Sequence, residues 1–287
     1  MPIAPLAVLA PAKINLTLHI TGRRDDGYHL LDSLVVFADL GDHLTVTPGA
    51  PGLTIDGPEA AGLAPDASNL ILRAAGYFAP HFAFHLTKNL PVAAGIGGGS
   101  ADAAATCRAL GALGAGQIAA PDLLALGADV PVCMASAPAR MSGIGEQLCP
   151  ARGLPPLAAL LVNPRQAVST AQVFSGLNGQ YGPPMPTLLP HVATPADLAR
   201  WLTGQRNDME AAAIRIAPII GTVKAAIAAQ AGCLLARMSG SGATCFGLFG
   251  DPAQAQRAQD TLLRAHPNWW VRACTLGDQS AAVGPAR

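Results

Sequence analysis

Apolar and polar residues alternate strictly from Lys13 to Thr21. Ile14, Leu16, Leu18 and Ile20 fall on one side, and Lys13, Asn15, Thr17, His19 and Thr21 on the other. A period of two predicts a half-buried strand with Lys13 and Asn15 side by side on its polar face. The polar stretch 21–29, with glycines at 22 and 27, predicts a turn. Shorter strands are expected at 34–37, 44–47 and 83–87, and a helix from Ser68 or Asn69 to about residue 78.

Residues 88–100 then lose all periodicity and collect glycines at 95, 97, 98 and 99. The alanine-rich run 101–113 predicts a helix with Ser100 as its N-cap. A short helix is expected at 121–126, closed by Gly127. Glycine and proline positions at 152–156 mark a domain junction, dividing the chain into 1–155 and 156–287. The stretch 176–195 reads as a long irregular loop. Asn207 or Asp208 is expected to cap a helix running to about residue 231, kinked at Pro218. Strands at 233–238 and 244–249 flank Ser239-Gly-Ser-Gly-Ala243, and a last helix covers about 252–266. Strands and helices interleave without regular βαβ alternation, so the fold class is α+β.

Composition narrows the function classes. Of 287 residues 51% are apolar and 13% charged, and the formal net charge is zero. That balance carries no electrostatic footprint for nucleic acid or an acidic membrane. An anionic substrate must be met by local cations and backbone amides. Lysine is scarce, at 13, 88 and 224 only. The six cysteines form no C-x-x-C pair, so no disulfide and no structural metal are expected, in a reducing cytoplasm. The apolar start, residues 1–12, lacks the basic region of a signal peptide. No apolar run is long enough to span a membrane.

The glycine run is the strongest chemical signal. Glycines let the main chain approach a ligand, and the free N–H groups opening a helix attract phosphate oxygens. A Walker A loop would end in Gly-Lys-Ser/Thr, which is absent, and a dinucleotide fingerprint fits neither the last glycine position nor the setting. The bland alternative is a turn before a helix.

Three segments carry a family resemblance: Pro11-Ala-Lys-Ile-Asn-Leu16, Pro91-Val-Ala-Ala-Gly-Ile-Gly-Gly-Gly-Ser-Ala101 and Met238-Ser-Gly-Ser-Gly-Ala-Thr-Cys-Phe246. In this order they resemble the motifs of the GHMP kinases, which include galactokinase, homoserine kinase and mevalonate kinase. The segments 21–29, 126–131 and 207–210 resemble a branch of that family acting on a cytidine-diphosphate sugar alcohol. The resemblance implies a two-domain fold, with an N-terminal domain like the second domain of ribosomal protein S5 and a C-terminal α+β domain. It implies ATP with Mg²⁺ as cofactors, and as catalytic pair Lys13 and Asp129. It places the ATP phosphates on Pro91, Val92, Ala93, Ala94, Gly95, Ile96, Gly97, Gly98, Gly99, Ser100 and Ala101. The sugar-alcohol substrate is assigned to Asn15, Tyr28, His29, Thr170, Phe174, Gly240 and Ser241, with Tyr28 and Phe174 sandwiching a pyrimidine.

On residue chemistry alone, Asp129 reads equally as a turn carboxylate and Lys13 as an exposed strand lysine. Phe174 reads also as a core side chain, Tyr28-His29 as a turn pair, and 240–242 as a plain hairpin. Asn207-Asp208 is read as a helix cap. Asp102, in the first turn after the loop, would repel a phosphate; it is expected to point away or to reach Mg²⁺ through water. No protein metal site is expected, and the partners are the two small molecules, without nucleic acid or membrane, in a monomer or homodimer. Competing readings are a homoserine- or mevalonate-type kinase, and a nucleotide-binding protein without turnover.

Overall fold

The computed structural model describes residues 4–78 and 81–284; the first three residues of the apolar start lie outside them. In chain order the first half contains β1 (Leu6–Asn15), β2 (His19–Arg23), β3 (His29–Pro48), β4 (Gly52–Asp56), α1 (Leu70–Ala75) and β5 (Phe82–Thr87). It continues with α2 (Gly98–Ala112), α3 (Ala120–Leu126), α4 (Val130–Ala135), β6 (Ala139–Gly143) and β7 (Gln147–Pro150). The second half contains β8 (Leu157–Asn163), α5 (Thr170–Ser175), α6 (Pro195–Thr203), α7 (Glu210–Ile216) and α8 (Ile219–Ala228). It ends with β9 (Cys233–Met238), β10 (Cys245–Phe249), α9 (Pro252–Ala265) and β11 (Trp270–Gly277).

The strands form one mixed sheet with the path β4-β5-β3-β11-β8-β10-β9, to which β1, β2 and β6 add by pairing with β3. β3 can serve so many partners because it runs for 20 residues. β11 is the joint: it pairs β3 through Leu276 and Gly277 and β8 along Trp270–Leu276. The apolar helix faces cover the sheet in separate cores. One gathers α1, α2 and α4 against Val35, Phe37 and Leu86. A second packs α7, α8 and α9 on Leu160, Val162 and Phe249. A third, around Ile14, Leu161, Phe246 and Trp270, is closed by Leu198 and Leu202 of α6.

Several expectations are corrected. The alternating run is not one half-buried strand: it breaks between β1 and β2, and its polar face is buried, with Lys13, Asn15, Thr17 and His19 all at most 4% exposed. That face is a seam against the second half of the chain. The Asn15 N–H donates to Ser239 Oγ (3.0 Å), and the Leu18 N–H donates to the Arg206 carbonyl (2.8 Å). Burial holds the His19 imidazole below its ordinary pKa, against the pull of the Pro183 carbonyl.

Helix α2 starts at Gly98, three residues before the expected start. Its cap is Gly97 in a left-handed conformation, with no side-chain hydrogen bond, so Ser100 lies inside the helix. The expected long helix after Asn207 is two helices, separated where Pro218 removes an N–H donor. Met209 is the formal N-cap residue, but Asn207 closes the helix entry as expected, its Oδ1 accepting from the Met209 N–H (3.0 Å). Asn207 Nδ2 also donates to the carbonyls of Met238 (2.8 Å) and Gly240 (2.9 Å). Asp208 accepts from the Ile20 N–H (2.8 Å) and pairs with Arg206. All six cysteines are free thiols. Among the described residues no helix is long and apolar enough to cross a membrane.

Candidate active site

The two glycine loops meet backbone to backbone. Thr244 N–H donates to the Ala94 carbonyl (3.1 Å), and Ser239 Oγ donates to the Gly95 carbonyl (3.1 Å). Gly95 and Gly240 both have positive φ, 73° and 56°. A Cβ on Gly95 would lie 2.6 Å from the Ser239 carbonyl oxygen, and one on Gly240 would lie 2.6 Å from the Gly95 carbonyl oxygen. Only glycine fits such an approach. The contact roots both loops at the end of β1, whose Lys13 N–H donates to the Ile96 carbonyl (2.9 Å).

Above this contact opens a cleft of about 1330 Å³. Lys13 and Asp129 face each other in it, Nζ to Oδ2 2.9 Å, with the lysine side chain 5% and the carboxylate 34% exposed. Gly97 packs against the stem of Lys13: a Cβ there would sit 3.2 Å from the lysine Cβ. A buried ammonium therefore fixes a carboxylate beside the opening turn of α2, the arrangement required of a base that meets an alcohol in front of a phosphate.

Most of the other expected residues converge on the cleft. Asn15, Tyr28, His29, Thr170, Phe174, Gly240 and Ser241 line it, as do 91–95 and 97–100. Ile96 and Ala101 do not; both side chains are buried in the cores beneath. Thr170 Oγ1 and Ser241 Oγ are hydrogen-bonded at 2.8 Å. Asn15 Nδ2 donates to Ser33 Oγ (2.7 Å), leaving Asn15 Oδ1 buried without a partner.

The aromatic end differs from the expected sandwich. Phe174 stacks on His29, with centroids 4.5 Å apart and planes 17° apart, whereas Tyr28 is 59% exposed. Tyr181 meets the His29 ring edge-on at 6.1 Å. Burial, and then the charge of Arg23, hold the His29 imidazole below its ordinary pKa.

Asp102 turns toward Lys88, with Oδ2 2.9 Å from Nζ, and both residues border the cleft. Among the described residues no group of three His, Cys, Asp or Glu side chains is placed to hold a metal ion.

Sequence reasoning missed Tyr181, Arg23, Lys88 and Asn69, all of which line the cleft. Tyr181 sits in an irregular loop with no periodicity to mark it. Lys88 carried a usable signal: it is one of only three lysines and directly precedes the glycine loop.

Comparison with known proteins agrees with this geometry. The family model for the GHMP kinases N terminal domain matches residues 66–146, and that for the GHMP kinases C terminal matches 191–268. A 4-diphosphocytidyl-2-C-methyl-D-erythritol kinase from Dinoroseobacter shibae is 60% identical over 95% of this chain and 95% of its own length. A kinase of the same name from Paramagnetospirillum magneticum is 50% identical over 94% of this chain and 98% of its own. A crystal structure of 4-(cytidine 5'-diphospho)-2C-methyl-D-erythritol kinase superposes with a TM-score of 0.77 at 37% identity, covering 94% of this chain and 99% of that one. Homoserine kinase from Cytophaga hutchinsonii shares the fold, with a TM-score of 0.66 at 19% identity over 96% of each chain.

Proposed function

The chain belongs to the GHMP kinases and, within them, to the 4-diphosphocytidyl-2-C-methyl-D-erythritol kinases, and from that premise we propose that it phosphorylates the 2-hydroxyl of this cytidine compound with ATP, in non-mevalonate isoprenoid synthesis. The observation that carries the mechanism is the Lys13–Asp129 pair beside the glycine loop. Asp129 takes the proton of the attacking hydroxyl while its oxygen bonds to the γ-phosphorus and the bond to the β-phosphate oxygen breaks, releasing ADP. Lys13 holds the hydroxyl and the carboxylate in register. The N–H groups at 97–100 receive the phosphates at the positive end of α2.

His29, Phe174, Tyr28 and Tyr181 make the end of the cleft suited to a pyrimidine, whose faces stack on aromatic rings. The His29–Phe174 stack leaves no gap for a base between those two rings, so the base lies against the outer face of the pair, next to Tyr28. Leu63, Leu70, Leu86 and Val92 also line the cleft and offer an apolar wall for the adenine.

Mg²⁺ would be carried by the nucleotide phosphates, with Ser100 and Asp129 among the oxygen donors that line the cleft. When bound it neutralises phosphate charge. Residues 1–155 supply the pair and the phosphate loop, and 156–287 complete the substrate end, in a cytoplasmic monomer or homodimer.

The test is ADP release dependent on the cytidine compound, measured for wild type and Asp129→Asn. Loss of a positioned base lowers turnover by about 10²–10⁴-fold. Wild-type turnover in the variant would overturn the base assignment. Release of ADP with homoserine or mevalonate instead would move the chain to another branch, and binding without turnover would make it a nucleotide-binding protein.

A further inference from the structure

Lys13, Arg23 and Lys88 are the cations that line the cleft, and two of them already have carboxylate partners. Lys13 pairs with Asp129, and the buried Lys88 ammonium bridges Asp42 and Asp102. Arg23 makes one hydrogen bond, from Nε to the Gly27 carbonyl (3.0 Å), and among the described residues it pairs with no carboxylate. Its neighbour differs: Arg24 is neutralised by Asp26 at 2.6 Å. One guanidinium therefore reaches the cleft with its charge uncompensated.

The hairpin fixes where that charge stands. Arg23 closes β2 directly opposite His29, which opens β3. Facing residues of an antiparallel pair share one side of the sheet, so the guanidinium stands beside the imidazole that stacks on Phe174. Its charge is felt there, as the second cause, after burial, of the lowered His29 pKa. The Arg24 N–H donates to the Tyr28 carbonyl (2.8 Å) and the Gly27 N–H to the Arg24 carbonyl (2.9 Å), which closes the tip. Gly27 has φ 94°, and a Cβ there would stand 3.5 Å from Arg23 Nη2. Nε is thus tied to the turn, while Nη1 and Nη2 stay open as a fork that matches two oxygens of a phosphate.

The substrate proposed above brings its own phosphates, apart from those of ATP. The amides at 97–100 are taken by the nucleotide, so the cytidine compound's diphosphate enters as a second anion in a cleft that Asp129 also lines. The chain has a formal net charge of zero, and no general field draws that anion in. A local cation has to do so.

We propose that Arg23 binds the diphosphate of the cytidine substrate, and so selects a nucleoside diphosphate over the free nucleoside. The proposal rests on the reading of the aromatic end as the pyrimidine site. The rings hold the base and the guanidinium fork holds the phosphates beside it. In this role Arg23 touches neither the attacking hydroxyl nor the γ-phosphate, so its loss weakens substrate binding rather than the chemical step.

The test is calorimetric titration of the full chain with CDP and with cytidine, after ADP has filled the phosphate loop. Wild type, Arg23→Gln, Arg23→Lys and Arg24→Gln are compared. Arg23→Gln should lower the affinity for CDP by about tenfold or more and leave that for cytidine unchanged. Arg23→Lys should recover part of the loss, and Arg24→Gln should bind both as wild type does. In the ADP-release assay KM for the cytidine compound should rise by the same factor in Arg23→Gln, with KM for ATP unmoved. Equal losses for CDP and cytidine would overturn the proposal, because Arg23 would then serve the hairpin or the base. Undiminished CDP affinity in Arg23→Gln would overturn it too. Wild type that prefers CDP to cytidine yet releases no ADP would refute the kinase reading and uphold the role of Arg23; wild type that binds neither would refute both.

Discussion

Replacing Gly95 by alanine tests the contact that holds the two glycine loops together. The new Cβ would lie 2.6 Å from the Ser239 carbonyl oxygen and 2.7 Å from both the nitrogen and the carbonyl oxygen of Gly242. All three are backbone atoms, so no side chain can swing aside. The left-handed backbone costs alanine about 1–2 kcal/mol. Relieving the overlap separates the loops and breaks Thr244 N–H to Ala94 O and Ser239 Oγ to Gly95 O, at about 1 kcal/mol each. The sum is about 3–4 kcal/mol. An unfolding entropy of about 2.1 cal/mol/K per residue gives about 0.6 kcal/mol/K for a chain of this length, hence a fall in Tm of about 5–7 °C. Gly114→Ala is the control: its φ is also positive, at 77°, but a Cβ there meets nothing within 4 Å. It should lose only the backbone part, about 2–3 °C. Thermal unfolding followed by circular dichroism measures both. Equal shifts in the two variants would refute the close approach. Gly95→Ala should also raise KM for both substrates in the ADP-release assay, because residues of both loops line the cleft.

Two further perturbations read the frame around the site. His19 accepts a hydrogen bond at Nε2 from the Arg206 N–H (3.1 Å), and its Nδ1 faces the Pro183 carbonyl (3.2 Å), which requires the neutral ring. Its pKa is lower folded than unfolded, so stability is complete above about 6.5 and is lost as pH falls through the lowered value. Urea unfolding at pH 7.5 and 5.5 should show a smaller acid loss in His19→Gln than in wild type, and an identical loss would contradict this. Arg140 pairs through two nitrogens with Asp32, whose side chain is 3% exposed, and donates to the carbonyls of Met185, Pro186 and Thr187. Arg140→Met strands that carboxylate and should cost about 3–5 kcal/mol in urea unfolding, with faster proteolysis at 183–190. Unchanged stability would show that the pair is unimportant.

Local chemistry was legible where it depends on neighbours in sequence. Asn69 does cap α1, its side chain accepting from the Ile71 N–H, and strands β9 and β10 lie within one residue of the expected 233–238 and 244–249. The residues expected at the cleft largely meet there, because glycine loops and their flanking motifs are contiguous in the chain. What stayed hidden depends on distant partners. β8 reads as an uninterrupted apolar run, Leu-Ala-Ala-Leu-Leu-Val, because it is buried on both faces, and such a run does not distinguish strand from helix. The polar side of β1 and β2 looked solvent-facing because nothing local reveals that Ser239 and Arg206 cover it. The same limit hid half of Asn207: its Oδ1 closes the helix entry as expected, while its Nδ2 holds the second glycine loop.

The hydrogen bond from Asn15 to Ser239 joins positions 224 residues apart. Contacts of such separation form slowly, since a long loop must close before they return any stability. During synthesis, β1 and β2 leave the ribosome carrying a lysine, an asparagine and a histidine whose covering segments do not yet exist. The cleft is accordingly among the last parts of the molecule to become complete, and a chain stopped before β10 carries the first glycine loop without the surface that seats it.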